Sequence, residues 1–208
     1  NNDDRLVNES LTYTPRKLSK EKSIKELQSL VEQINNFSWI SKTISIINAP
    51  LLQSTDEPLI ERIKNLKYIT NSNIDKNKAL KELTSSPVYK DLIISEDAKT
   101  FGIVAYLKDN QEYLNSLENK TQLLNSQTVN AKKLDLINKK IKKLQKQQSN
   151  NIKNYNSSIK NLLLNYDSNA EIRLSGIPMI ADDMITFIKN DIVVFGFGVF
   201  IFIILTLW

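Results

Sequence analysis

The run Ile192–Trp208, IVVFGFGVFIFIILTLW, constrains this chain more than any other feature: seventeen consecutive residues carry no charge. As a helix it is about 25 Å long, against a bilayer hydrocarbon core of ~30 Å, so a few more apolar residues would complete a span. The run is apolar on every face and rich in Phe, Ile and Gly. A helix with one side in water does not have that pattern. A buried core helix is the competing reading, and it needs protein on all sides. We therefore expect a transmembrane helix over 191–208, truncated at its far end. Asp191 then lies at headgroup level, where an ionisable group is cheap to place. Lys and Arg bias does not orient the helix, because the segment before it is long.

Composition removes whole classes of chemistry. The 208 residues include no Cys and no His, which excludes thiol and histidine catalysis, Cys/His zinc sites and disulfides. With 41% apolar and 25% charged residues, the chain suits one domain plus an appendage. The net charge of +5 is unevenly placed: seven Lys and one Asp lie between Lys132 and Lys146. Such a run is ordinarily a solvated helix face, and it can also meet anionic lipid. Arg is scarce and no aromatic interleaves the run, so a nucleic-acid partner is not expected.

Ahead of the apolar run, the periodicities predict a mixed fold. Leu6–Thr14 reads as a weak strand with Leu11 and Tyr13 on one face, ended by Pro15. Ser19 is placed to cap a helix over 20–35, whose apolar face is Ile24, Leu27, Leu30, Val31 and Ile34. Trp39–Ile47 alternates and is rich in β-branched residues, which predicts a strand with Ile40, Ile44 and Ile46 on one side. Pro58 suits the first turn of a short helix to about Leu66, and Asp75 can cap another to Leu83. Leu92–Ser95 and Thr100–Leu107 flank a polar loop and predict a β-hairpin.

From Asp109 to Tyr166 there is no Gly and no Pro. Leu134, Ile137, Ile141 and Leu144 follow a heptad, which resumes after a slip at Gln148 with Ile152, Tyr155, Ile159 and Leu162. With NSQTVN (125–130) as the turn, we expect an antiparallel helical hairpin; one long helix is the alternative. Glu171–Ser175 reads as a strand, broken at Gly176-Ile177-Pro178. Met179–Asn190 reads as a helix feeding the membrane helix, with a bend near Asn190 left open. The expected fold is α+β: a split β-α-β sheet with helices on one face, an inserted helical hairpin and a terminal transmembrane helix.

No catalytic constellation emerges, so no enzyme activity and no cofactor are expected. Gly196 and Gly198 do not match a nucleotide-binding loop and suit close helix packing or a bend. Asp182 and Asp183 are adjacent on a helix and point ~100° apart, a poor pair for one metal ion, so no metal site is expected. Both fall in a first helical turn, where acids favour the helix dipole. Asp56-Glu57 and Glu96-Asp97 read as solvated loop acids.

Residues 171–208 resemble the end of the first large extracytoplasmic loop, entering the second transmembrane helix, of resistance-nodulation-division (RND) exporters of the MMPL-like branch. The match is carried by Gly176, Pro178, Met179, Ile180, Ala181, Asp182, Asp183 and Met184, then Asn190-Asp191 and Phe195-Gly196. WISKTISIINAPLL (39–52) and LIISEDAKTFGIVAYL (92–107) resemble the family's strand before an N-x-P-L loop and its later hairpin. Residues 1–14 depart most, with polar Asn8, Glu9 and Ser10 where apolar residues are expected.

The resemblance implies a porter-type domain over 1–108 and 169–190, interrupted by the hairpin at 109–168 and followed by membrane helix 191–208. It implies a proton-driven, multi-pass exporter of hydrophobic or lipid-like molecules in the cytoplasmic membrane, with residues 1–190 on the extracytoplasmic side. The partners it implies are the bilayer, the substrate and further membrane helices of the same polypeptide, with homo-oligomerisation left open. Proton-relay residues lie in later helices of that family and not here. The rival expectation is a tail-anchored coiled-coil tether, which explains the heptads and the apolar run but not the strands or GIPMIADDM.

Overall fold

The computed structural model describes residues 8–16, 19–53, 58–126 and 130–207, with backbone only at 8, 59, 177–183, 185 and 186. The chain runs β1 (Asn8–Pro15), α1 (Lys20–Asn35), β2 (Ile40–Ser45), α2 (Leu59–Lys64) and α3 (Lys76–Ser85). It continues through β3 (Phe101–Leu107), α4 (Gln111–Leu124), α5 (Ala131–Leu163), β4 (Ala170–Ser175) and α6 (Ile177–Leu207). The fold is α+β.

The four strands form one sheet in the order β2-β3-β1-β4, and every neighbouring pair is antiparallel. It follows that β1 and β2 run the same way with β3 between them, and β3 and β4 run the other way with β1 between them. Leu11 and Tyr13 of β1, Phe101 and Ile103 of β3 and Ala170 of β4 share one face and are buried. That face is covered by α1 and by the second half of α5. The covering face of α1 is the one its 3.6-residue period selects, Ile24, Leu27, Leu30, Val31 and Ile34, all under 4% exposed. Ile159 of α5 and Leu83 of α3 complete the same cluster.

Glu26 fastens one end of this layer. It accepts from the Tyr13 hydroxyl with one oxygen and from Asn169 Nδ2 at 2.7 Å with the other. The Tyr13 pKa is pushed up, first by burial and then by that hydrogen bond and the charge on Glu26. The Tyr166 hydroxyl accepts from Gln33 Nε2 at 2.7 Å, which ties the segment after α5 to α1.

Several local expectations are met and others are corrected. The bounds of α1 agree, and Ser19 holds the N-cap position in extended conformation, but its side chain makes no capping bond. Asp75 caps α3, accepting from the backbone N–H groups of Asn77 and Lys78. Pro58 is the N-cap of α2, which ends at Lys64, short of Leu66. The β1 strand holds over the described residues; Leu6 and Val7 lie outside them. In β2 the expected face is met only in part, with Ile40 and Ile46 buried in the core. A register shift between Ile40 and Lys42 turns the strand, so Thr43 and Ser45 join Ile40 in burial while Ile44 is only half-buried.

The expected hairpin at 92–107 is reduced to one bridge, Ile94–Phe101. The physical reason is that β1 and β2 already occupy the two edges of β3 from Ile103 onward, leaving little free edge for a further arm. Asp91 and Ala98, both at positive φ, curl the chain on either side of that bridge. Gly102 faces this curl closely: a Cβ there would meet the Leu92 carbonyl oxygen.

The helical insertion is a hairpin. Glu112 pairs with Lys140 at 3.0 Å, and the Tyr113 hydroxyl accepts from Gln145 Nε2 at 3.2 Å. The start of α4 thus meets the middle of α5, as antiparallel helices joined by a short link must. Residues 127–129 of the expected turn lie outside the described residues, as do Asp56 and Glu57. The helix α5 runs unbroken through Gln148, so the heptad slip there is absorbed without a break.

Candidate functional site at the α6 rim

The chain enters the sheet and leaves it at one rim. The pairs Asn8–Tyr106, Ile40–Leu107 and Ser10–Ser175 place the starts of β1 and β2 beside the ends of β3 and β4. The helix α6 leaves this rim directly after β4. Gly176 makes the joint with φ of 151°, a conformation side-chained residues rarely adopt. Pro178 follows in the first turn of α6, where a missing N–H is harmless.

The motif residues are strung along one helix and are not gathered into a cluster. Gly176 is the joint; because α6 already starts at Ile177, Pro178 and Met179 lie in its first turn, whereas Asp182 and Asp183 fall in the second and not in the first turn as expected, and the side chains of all four are outside the described set. Asp191 is exposed further along, with no ion pair among the described residues. The helix passes Asn190 without interruption. From Phe187 to Leu207 it is long and apolar enough to cross a membrane, and none of that stretch is buried in the protein. Thr206, its polar residue near the end, returns its hydroxyl to the Phe202 carbonyl at 3.0 Å. A Cβ at Gly196 or Gly198 would meet nothing, so both leave an open notch on the helix.

The rim also holds polar groups that sequence reasoning missed. Glu9, the second residue of β1, lies on the helix-covered face in step with Leu11 and Tyr13 and is 1% exposed. Neither of its carboxyl oxygens has a hydrogen-bond partner, and the same is true of the Asn156 amide of α5, 3% exposed. Burial pushes the Glu9 carboxyl from 4.5 up to about 7, with the Lys160 charge offsetting part of the rise. Each unpaired buried group costs about 1–3 kcal/mol, so they are not there for stability. The missed signal was the strand's own alternation, which carries the core face of Leu11 and Tyr13 back to Glu9.

Three aromatic rings brace the rim. Phe37 stacks on Trp39 with centroids 4.8 Å apart, and Trp39 stacks on Tyr155 of α5 at 4.2 Å. This fixes where α5 crosses the sheet end. Between the end of α5 and the free edge of β4 lies a groove of ≈ 300 Å³, walled by Leu163, Leu164, Ile172 and Leu174 with Lys160 and Asp167 on its lining. Among the described residues no group of three acids comes together to hold a metal ion. Chemically, the arrangement offers an apolar groove, a protonatable buried carboxyl and a helix leading away.

Compared with known proteins, the chain matches no family model, no curated protein and no solved structure.

Proposed function

We infer that the chain is the extracytoplasmic, porter-type domain of a proton-driven RND-like exporter of hydrophobic or lipid-like molecules, with α6 as its second membrane helix. The observation that carries this reading is the shared rim: β1 starts where β4 ends, and α6 continues from β4. A domain looped out between two membrane helices must bring its entry and exit strands to one end. The interleaved strand order, with its two parallel non-neighbouring pairs, fits a porter-type split β-α-β sheet. The apolar groove beside β4 suits an acyl chain.

In this reading α6 acts as a rod. It is one helix from Ile177 to Leu207, so movement of its membrane part reaches the sheet at Gly176. Inserting Gly-Gly after Lys189 in the complete reading frame should abolish or sharply lower export, and unchanged export would remove the coupling idea. The function itself is tested in cells lacking the gene. They should accumulate a hydrophobic fluorescent probe, complementation should lower it, and a protonophore should erase the difference. A tail-anchored tether, the other reading, gives no protonophore-sensitive change.

A further inference from the structure

The hairpin α4–α5 carries ten Lys against Glu112, Glu118 and Asp135, a net +7 that exceeds the +5 of the whole chain. Its charge is also arranged. At ~100° per residue, Lys132, Lys139, Lys142, Lys143 and Lys146 fall within one sector of α5, opposite the seam of Leu134, Ile137, Ile141 and Leu144 that packs toward α4. All five are exposed, and four of them have no ion pair among the described residues, Lys139 being held by Asp135 at 2.8 Å. Leu136 lies in the same sector and is 60% exposed. Further down the helix Lys153 and Lys160 extend the stripe. Lys160 lines the groove against β4, the strand that leads into α6, so the stripe is on the α6 side of α5.

The direction of the hairpin gives this stripe an occupant. Because β3 ends at the rim from which α6 departs, α4 also starts there, and Tyr155 of α5 is stacked at that rim on Trp39. The α5 residues before Tyr155 therefore project past the rim at which α6 starts. From Tyr155 back to Lys132 the projection is ~35 Å, whereas α6 from Ile177 to Asn190 extends only ~20 Å before its uncharged run begins. A lysine-rich hairpin that reaches that far cannot enter hydrocarbon, so it meets the headgroup plane at an angle.

We propose that the lysine stripe of α5 rests on an anionic phospholipid surface, with Leu136 seated among the headgroups. Charge complementarity selects anionic lipid, and the same +7 disfavours a second copy of the hairpin. The lysines then fix the tilt of the sheet layer relative to α6. This rests on α6 spanning a membrane, and the test separates the two claims.

The chain has no Cys, so Asn138→Cys places one fluorophore on the projecting half. The labelled chain is reconstituted into nanodiscs whose lipid headgroups carry an acceptor. Energy transfer should be several-fold higher with roughly one-third phosphatidylglycerol than with phosphatidylcholine alone, and should fall in ~0.5 M salt. K132Q/K139Q/K142Q/K143Q/K146Q should bring the phosphatidylglycerol value down to the phosphatidylcholine value at unchanged helicity. Equal transfer in both lipids, with the chain incorporated, overturns the proposal and leaves α6 standing; so does preferential capture of an acidic protein by the stripe. A chain that does not incorporate at all overturns the span and the proposal with it.

Discussion

The sheet layer and the helical hairpin are built from similar aliphatic residues and treat them differently. Leu27, Leu30 and Ile34 of α1 are fully shielded against Leu11, Tyr13 and Ile103. In the hairpin only Ile141 and Leu144 of the α5 seam are buried before the rim, and Leu124 and Leu136 are 49% and 60% exposed. Two helices alone cannot enclose a seam. The sheet layer thus holds itself together, while the hairpin depends on helix propensity, on its root at Trp39–Tyr155 and on whatever it lies against. The lesson is that heptad spacing identifies a helix pair without saying that the pair is a core.

That contrast can be broken at four points. Leu27→Ala should cost about 3 kcal/mol, because a shielded side chain leaves a cavity that neighbours cannot fill; urea unfolding followed by Trp39 fluorescence measures it. Gly102→Ala should cost roughly 2–3 kcal/mol in the same assay. Its Cβ would press on the backbone at Leu92 and Ile93, which are held by hydrogen bonds such as Gly102 N–H to the Ile93 carbonyl at 2.9 Å.

Glu9→Gln should stabilise the chain by about 2 kcal/mol at pH 8 and change little at pH 4. The sign follows from the raised pKa. Between 4.5 and about 7 the folded chain keeps the Glu9 proton while the unfolded chain has lost it, so stability is full below that window and falls as pH rises through it. The wild type should show this decline and the glutamine variant should not. Leu134→Ala, in the half-exposed seam, should cost under about 1 kcal/mol. A value near that of Leu27→Ala would mean the hairpin is covered by something more than α4.

Much of the fold was legible because local signals agreed with tertiary demand. The apolar period of α1, the Asp75 cap and the heptads of α5 each named their element. The motif before the apolar run gave the Gly176 joint and a helix that continues without a stop. What failed did so where the sheet decided. The register shift in β2 exchanged Ile44 for Thr43 and Ser45, and no single-strand pattern records a bulge that exists only against a partner. The arm at 92–95 carries strand-like residues, but its edge of β3 was already taken. Glu9 was read as a departure from an apolar strand, whereas its position in the alternation places it inside. The orphaned Asn156 of α5 is invisible in sequence, because α5 is rich in Asn and only packing distinguishes the buried one.

The central claim is that this chain is a domain looped out between membrane helices. The most direct measurement is the sequence of the encoding reading frame on both sides. The account predicts an apolar segment of ~20 residues shortly before Asn1 and several more helices after Trp208. A start codon shortly before Asn1 together with a stop codon just after Trp208 would contradict it and leave a tail-anchored protein with a helical hairpin.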